Sequence, residues 1–163
     1  MPPTAPDPAH FRQVLGHFPT GVTVVAALDG DGARVGLAVG SFFSVSLEPP
    51  LIGFCAGRSS SSWPRIREAG RFCVSVLADD QEGVSRSFAT KAPDKFEGLA
   101  HRPAPFSGAP VLEDALAWID CELAAVHEAG DHEIALGLVK DLGVARESGP
   151  LVFFRGGYHG LGL

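Results

Sequence analysis

The familiar nucleotide-binding signatures are missing from this chain. No G-x-G-x-x-G motif follows a strand pattern and opens a helix, which disfavours a Rossmann site, and there is no Walker A loop or G-x-S-x-G elbow. Long amphipathic helices between strands are also absent, so a doubly wound α/β sheet is not expected. No apolar run approaches the roughly 18 residues that would span a membrane. Positive charge is in short supply: 13 basic residues stand against 19 acidic ones, a formal net charge of -6. That balance argues against nucleic acid or an anionic membrane as a partner. Residues 1–8 carry no basic residue and no apolar core, so no signal peptide is expected. Only three cysteines occur, Cys55, Cys73 and Cys121, each in an apolar stretch. Their odd number and wide spacing match neither a zinc pattern nor a disulfide framework, and the expected compartment is a reducing cytoplasm.

What is present reads as many short strands. A chain of 163 residues suits one domain with one core, expected over 9–163 behind a flexible leader at 1–8. A short helix is predicted over Ala9–Phe18. Strand signals follow at Gly21–Ala27, Val35–Ser46, Leu51–Cys55 and Arg71–Leu77, the last with Phe72, Val74 and Val76 on one face. Ala117–Val126 is the longest. There Ile119, Cys121, Leu123 and Ala125 face one way, and Trp118, Asp120 and Glu122 face the other. Gly130-Asp131 marks a turn, and Ile134–Val144 reads as its hairpin partner. Pro150–Phe154 is a final strand. Trp63–Ala69 is predicted helical, with Ser61 or Ser62 as N-cap and Gly70 as stop. Asp79–Phe88 is a second such helix, with Asp79 and Glu82 spaced as a capping box. Short strands joined by turn residues point to a small closed barrel.

Three places carry residues suited to chemistry. Arg58-Ser59-Ser60-Ser61-Ser62-Trp63 lies between an apolar strand and a helix start. Hydroxyls, a guanidinium and helical N–H groups favour a phosphate there, although a polar loop with a serine N-cap would look the same. His132, at the hairpin tip, is either a plain turn residue or a donor to a bound cofactor. A metal site built on His127, Glu128 and His132 is disfavoured, because the two histidines stand five apart across a turn. Tyr158 and His159, flanked by glycines, either plug the core or fold over a planar ligand. Arg86 reads as a solvated charge or a dipole partner at a helix end.

Several segments taken together resemble the flavin reductase family, the reductase partners of two-component flavin-dependent monooxygenases. They are Phe18–Val25, Gly36–Leu51 with its Ser-Val-Ser-Leu-Glu-Pro-Pro ending, Ser59–Ile66, Phe72–Leu77, Ser85-Arg-Ser-Phe-Ala89, Gly130-Asp-His132 and Leu151–His159. Singly they are weak; in this order and spacing they are specific. The resemblance implies a mostly-β, six-stranded Greek-key split barrel with a few short helices, assembled as a homodimer. It implies FMN or FAD as the flavin and NADH or NADPH as co-substrate, with no metal and no essential catalytic side chain.

The same resemblance assigns the flavin ring to the Ala38-Val39-Gly40-Ser41 strand, with Ser44 and Cys55 among the contacts. The phosphate falls to Ser59, Ser60, Ser61 and Trp63. Arg86 and Phe88 match the segment that closes over the flavin, and His132, Tyr158 and His159 match the nicotinamide side. Many members read Thr-Ala-Asn where this chain reads Ala38-Val39-Gly40, so a hydroxyl and an amide are lost. At about 0.5–1.5 kcal/mol per lost bond, the flavin is held less tightly but still held. The expected activity is NAD(P)H-dependent flavin reduction that feeds a monooxygenase. The alternatives are a flavin-binding electron carrier and a split-barrel haem binder.

Overall fold

A computed structural model describes residues 1–2 and 4–162 of the chain. The first element is helix α1 (Pro8–Leu15), followed by β1 (Thr20–Gly21), β2 (Thr23–Leu28), β3 (Arg34–Val39), β4 (Phe43–Leu47) and β5 (Pro50–Gly57). Helix α2 (Trp63–Ala69), β6 (Arg71–Val76) and α3 (Glu82–Phe88) follow, and a small hairpin, β7 (His101–Pro103) and β8 (Pro110–Leu112), comes next. The long hairpin β9 (Ala117–Ala129) and β10 (His132–Val144) leads to a last pair, β11 (Val152–Phe154) and β12 (Gly157–His159).

The principal sheet is antiparallel and has seven strands in the order β3-β2-β6-β9-β10-β5-β4; β1, β11 and β12 form a second, smaller sheet. This is the expected mostly-β class with one strand more than the six expected. The Val35–Ser46 signal splits in two, because residues 40–42 leave the ladder and β4 starts afresh on β5.

Strand alternation explains which residues are buried. Val25 and Ala27 of β2 point into the barrel with Val35, Val39, Phe54, Ala56, Phe72, Val74, Ile119 and Cys121, and α2 contributes Trp63 and Ile66. The intervening Val24 and Ala26 point outward and are equally buried, under Phe88, Phe96, Leu112 and Leu151. A strand covered on both faces needs apolar residues at every position, hence the unbroken Val-Val-Ala-Ala. Phe54 meets Trp63 and Phe72 edge-on at 5.5 and 5.4 Å between ring centres. Such pairs add about 0.5–1.5 kcal/mol to the area they bury.

The polar face foreseen on β9 has a structural reason. Asp120 is fully buried and accepts N–H bonds from Phe106 at 2.6 Å and Ser107 at 3.1 Å, fixing the loop that crosses that face. The three thiols are free, and burial pushes Cys73 upward in pKa and Cys121 to about 12, so neither is a thiolate at neutral pH.

Local expectations met mixed outcomes. Helix α2 spans the expected residues and stops at Gly70 in the left-handed region, φ 69°. Its start is capped differently: Ser60 Oγ accepts from the N–H groups of Ser62 and Trp63, while Ser62 makes no side-chain cap bond. The capping box does not form. The Asp79 N–H instead donates to Gly149 O, and α3 begins only at Glu82, behind Gln81, whose side chain ties Ala78 N–H to Glu113 O. Helix α1 ends three residues early, at Leu15, where Gly16 closes on Arg12 O. The long hairpin pairs as foreseen, turning at Gly130 (φ 67°) and Asp131. No described helix is long and apolar enough to cross a membrane.

Gly137 of β10 admits no side chain: an added Cβ would lie 2.7 Å from the Phe72 ring and 3.2 Å from both Cys121 and Ile52. Gly137→Ala is therefore expected to cost about 1–3 kcal/mol through overpacking, read as a lower urea midpoint with an unchanged slope.

Candidate cofactor site

The site begins where the barrel fails to close through its backbone. On β5, β4 pairs no further than Gly53, which leaves the edge at Cys55 without a strand. The chain leaving β3 fills that place with a side chain. Ser41 Oγ accepts the Cys55 N–H at 2.8 Å and donates to the Cys55 carbonyl at 3.1 Å. One hydroxyl thus replaces a ladder pair at the seam. Gly40 passes close to β1, where a Cβ would sit 3.2 Å from Thr20 Oγ1.

Along the β3 edge runs a trough in two compartments that share Ala38. The first, about 320 Å³, is lined by Gly57, the hydroxyl loop Ser59–Ser62, Phe88, Thr90, Lys91 and Lys95. The second, about 230 Å³, is lined by Val22, Ala38, Val39, Gly40, Ser85, Phe153 and Tyr158. One end therefore offers hydroxyls and ammonium groups, and the other an apolar, aromatic slot.

Lys95 organises the polar end. Its Nζ reaches Gly36 O and Phe88 O at 3.1 Å and Ser62 Oγ at 3.3 Å, which joins β3, α3 and the serine loop. Burial holds its pKa below the usual lysine value, a sign that the charge lacks full hydration and gains from an anion nearby. Sequence reasoning did not single out Lys95; the fold does.

At the aromatic end, Tyr158 OH is 2.8 Å from Ser85 Oγ, and its ring packs edge-on against Phe153 at 5.2 Å. Arg86 lies 5.0 Å over that ring and is paired with Glu82. Phe153 is a second residue that sequence reasoning passed over.

The remaining named residues take varied positions. Phe88 is buried and forms a wall of the trough, packed on Phe96 at 4.9 Å. Trp63 sits in the barrel core with its indole N–H unpartnered, so what it presents toward the loop is its backbone. Ser44 is exposed on β4, and Cys55 is half-buried at the seam. Arg58 does not face the serine loop. It donates to Gly130 O at 3.0 Å and pairs with Glu128 at 3.3 Å, and together with its N–H bond to Asp131 O it clamps the hairpin tip down. His132 therefore borders the polar end: a Cβ on Gly57 would meet His132 Nε2 at 3.8 Å and Ser59 Oγ at 3.9 Å. Its Nδ1 lies 2.6 Å from Asp131 Oδ1, and that contact holds the Asp131 carboxyl below the usual range. His159 packs against Phe154 at 6.2 Å and does not line the slot that its neighbour Tyr158 lines.

A family model, the flavin reductase like domain, matches residues 15–162. The chain belongs to that family. Among its relatives, a flavin reductase of Pseudomonas putida is 55 % identical over 157 residues, 96 % of this chain and 92 % of the relative. The reductase subunit HsaB of a flavin-dependent monooxygenase from Rhodococcus jostii is 48 % identical over 155 residues, 95 % of this chain and 78 % of the relative. Among solved structures, nitrilotriacetate monooxygenase component B of Mycobacterium thermoresistibile superposes with a TM-score of 0.90 at 43 % identity, covering 94 % of this chain and 86 % of that one. The NADH:FAD oxidoreductase SgcE6 of Streptomyces globisporus, solved with NAD and FAD fragments, gives 0.89 at 35 % identity over 94 % and 92 %. A flavin needs an apolar bed for its ring and donors for its phosphate, and the two compartments of this reductase-family trough supply both.

Ser41→Ala would leave both polar groups of Cys55 unpartnered at a half-buried seam. The expected cost is about 1–3 kcal/mol, with faster hydrogen exchange at the Cys55 amide.

Proposed function

We propose that this protein is an NAD(P)H:flavin oxidoreductase that reduces FMN or FAD and supplies the product to a separate monooxygenase. The observation that carries the reading is the trough whose hydroxyl-and-ammonium end and aromatic end meet at Ala38. Ser59 and Ser61 hydroxyls with the Lys95 ammonium bind the flavin phosphate, and the backbone of Ala38–Gly40 supports the ring. Ser41 serves indirectly by keeping that strand against β5. Tyr158, held by Ser85 and Arg86, and Phe153 bound the apolar slot. Hydride transfer between nicotinamide and flavin is the cofactors' own chemistry, so no side chain is assigned as acid or base. His132 orients the nicotinamide nucleotide from the hairpin tip, with Asp131 fixing its ring. Relatives named as reductase subunits of monooxygenases support the oxygenase as recipient.

The reading includes a homodimer in the cytoplasm. Edge strand β4 exposes Phe43 (41 %), Val45 (43 %) and Leu47 (95 %), and the end of β10 exposes Leu142 (61 %) and Val144 (80 %). An apolar sheet edge of this kind is a template for association unless covered, and a second copy covers it. Sedimentation equilibrium is expected to give twice the 17.0 kDa chain mass, and Leu47→Asp with Val144→Asp to shift it toward one chain.

An anaerobic titration tests the activity: the visible flavin band should bleach on addition of NADH or NADPH. Flavin that binds and stays oxidised with both donors would leave only the electron-carrier reading, and a haem spectrum would exclude both. Lys95→Met is expected to weaken FMN and FAD binding about 10- to 100-fold, and riboflavin, which has no phosphate, by a much smaller factor.

A further inference from the structure

A second cavity, about 420 Å³, lies between α1 and the β11–β12 turn and shares no lining residue with the trough. Arg12, Gln13 and His17 line it on one side, Arg155 and Gly156 on the other, and no carboxylate lines it. In a chain with net charge -6 that is unusual company. Among the described residues, the arginines at 34, 58, 65, 67, 86, 102 and 146 pair with carboxylates, whereas Arg12, Arg71 and Arg155 take part in no ion pair, and of these three only Arg12 and Arg155 share a cavity.

The cavity is built rather than incidental. Arg155 and Gly156 form a two-residue turn between Phe154 and Gly157, with φ of 51° and 76°. Asparagine or glycine would occupy the first position without strain, yet an arginine stands there, in the left-handed region that side chains seldom adopt. The turn is tied to the helix, since the Arg155 N–H donates to Gly16 O at 2.8 Å, so both walls are fixed together. The negative end of α1 does not neutralise the arginines. Arg12 O is closed by Gly16 N–H, Val14 O by the N–H of His17, and Gln13 O by its Nδ1 at 2.8 Å, which leaves His17 Nε2 free. Arg12 also contributes to the lowered pKa of Asp131, which places the cavity within electrostatic reach of the tip that carries His132.

We infer that this cavity binds a phosphate or diphosphate group, and that its source is the phosphate tail of the nicotinamide dinucleotide. Two forked guanidiniums with an imidazole edge suit such an anion. The assignment of the source rests on the oxidoreductase reading above; the anion site does not.

The test uses the whole chain with Arg12→Gln and Arg155→Asn, the second chosen because asparagine tolerates the left-handed turn. Arg71→Gln, far from the cavity, is the control for lost charge. Calorimetric titration with inorganic pyrophosphate needs no turnover, and the double variant should bind it about 10- to 100-fold more weakly than wild type or control. The KM for NADH or NADPH should rise by a similar factor, while the FMN dissociation constant matches that of the control. Weakened pyrophosphate binding with an unchanged KM would keep the anion site but overturn the dinucleotide as its source. Pyrophosphate binding equal in double variant and control, or none in wild type, would overturn the site itself.

Discussion

The hydroxyl of Ser41 carries a responsibility out of proportion to its size. A sheet that curls into a barrel must pair its last strand with its first, or else leave polar backbone facing a gap. Here the gap is kept, and one side chain satisfies both backbone groups of Cys55 across it. Everything that makes the trough depends on that compromise. Paired fully, β3 would lie flush against β5 and leave no room beside Ala38. Left wholly unpaired, the β3 edge would lose its fixed distance from the serine loop. The split in the barrel is therefore a cleft held at defined width by two hydrogen bonds.

The fold class was readable in the sequence because its determinants are local. Period-two burial in Phe72-Cys-Val-Ser-Val, the Gly130-Asp131 turn and the Pro64 and Gly70 limits of α2 each act within a few residues. What escaped were outcomes set by distant partners. The spacing of Asp79 and Glu82 suits a capping box, but Gly149 claims the Asp79 N–H first, a competitor 70 positions away in the numbering. Gly40-Ser41-Phe42 looked like strand, and only the approach of β5 explains why the ladder breaks there.

The site was legible to the same extent. Phe88 was singled out only by the family resemblance, whereas the serine loop and Tyr158 announce themselves by chemistry and local context. Lys95 does not, since nothing beside it in the sequence signals that its ammonium will face two carbonyls and a serine. Arg58 shows the opposite error of inference. Adjacent to four serines, it looks like part of a phosphate cradle, but its guanidinium is drawn to Gly130 and Glu128 on the long hairpin. In exchange it brings His132 beside Ser59, a proximity between residues 73 positions apart that no local pattern encodes.

The distribution of charge has a consequence for how a ligand leaves. The polypeptide as a whole is acidic, at -6, while the cations of the trough are concentrated at one end around Lys91 and Lys95. On the proposed reading, a phosphorylated flavin would be attracted only while it remained within contact distance of those few donors. Once dislodged, it meets the repulsion of an acidic exterior, softened by salt beyond about 8–10 Å. On that reading retention would be short-ranged, an arrangement that suits a reductase whose product must be handed on rather than kept.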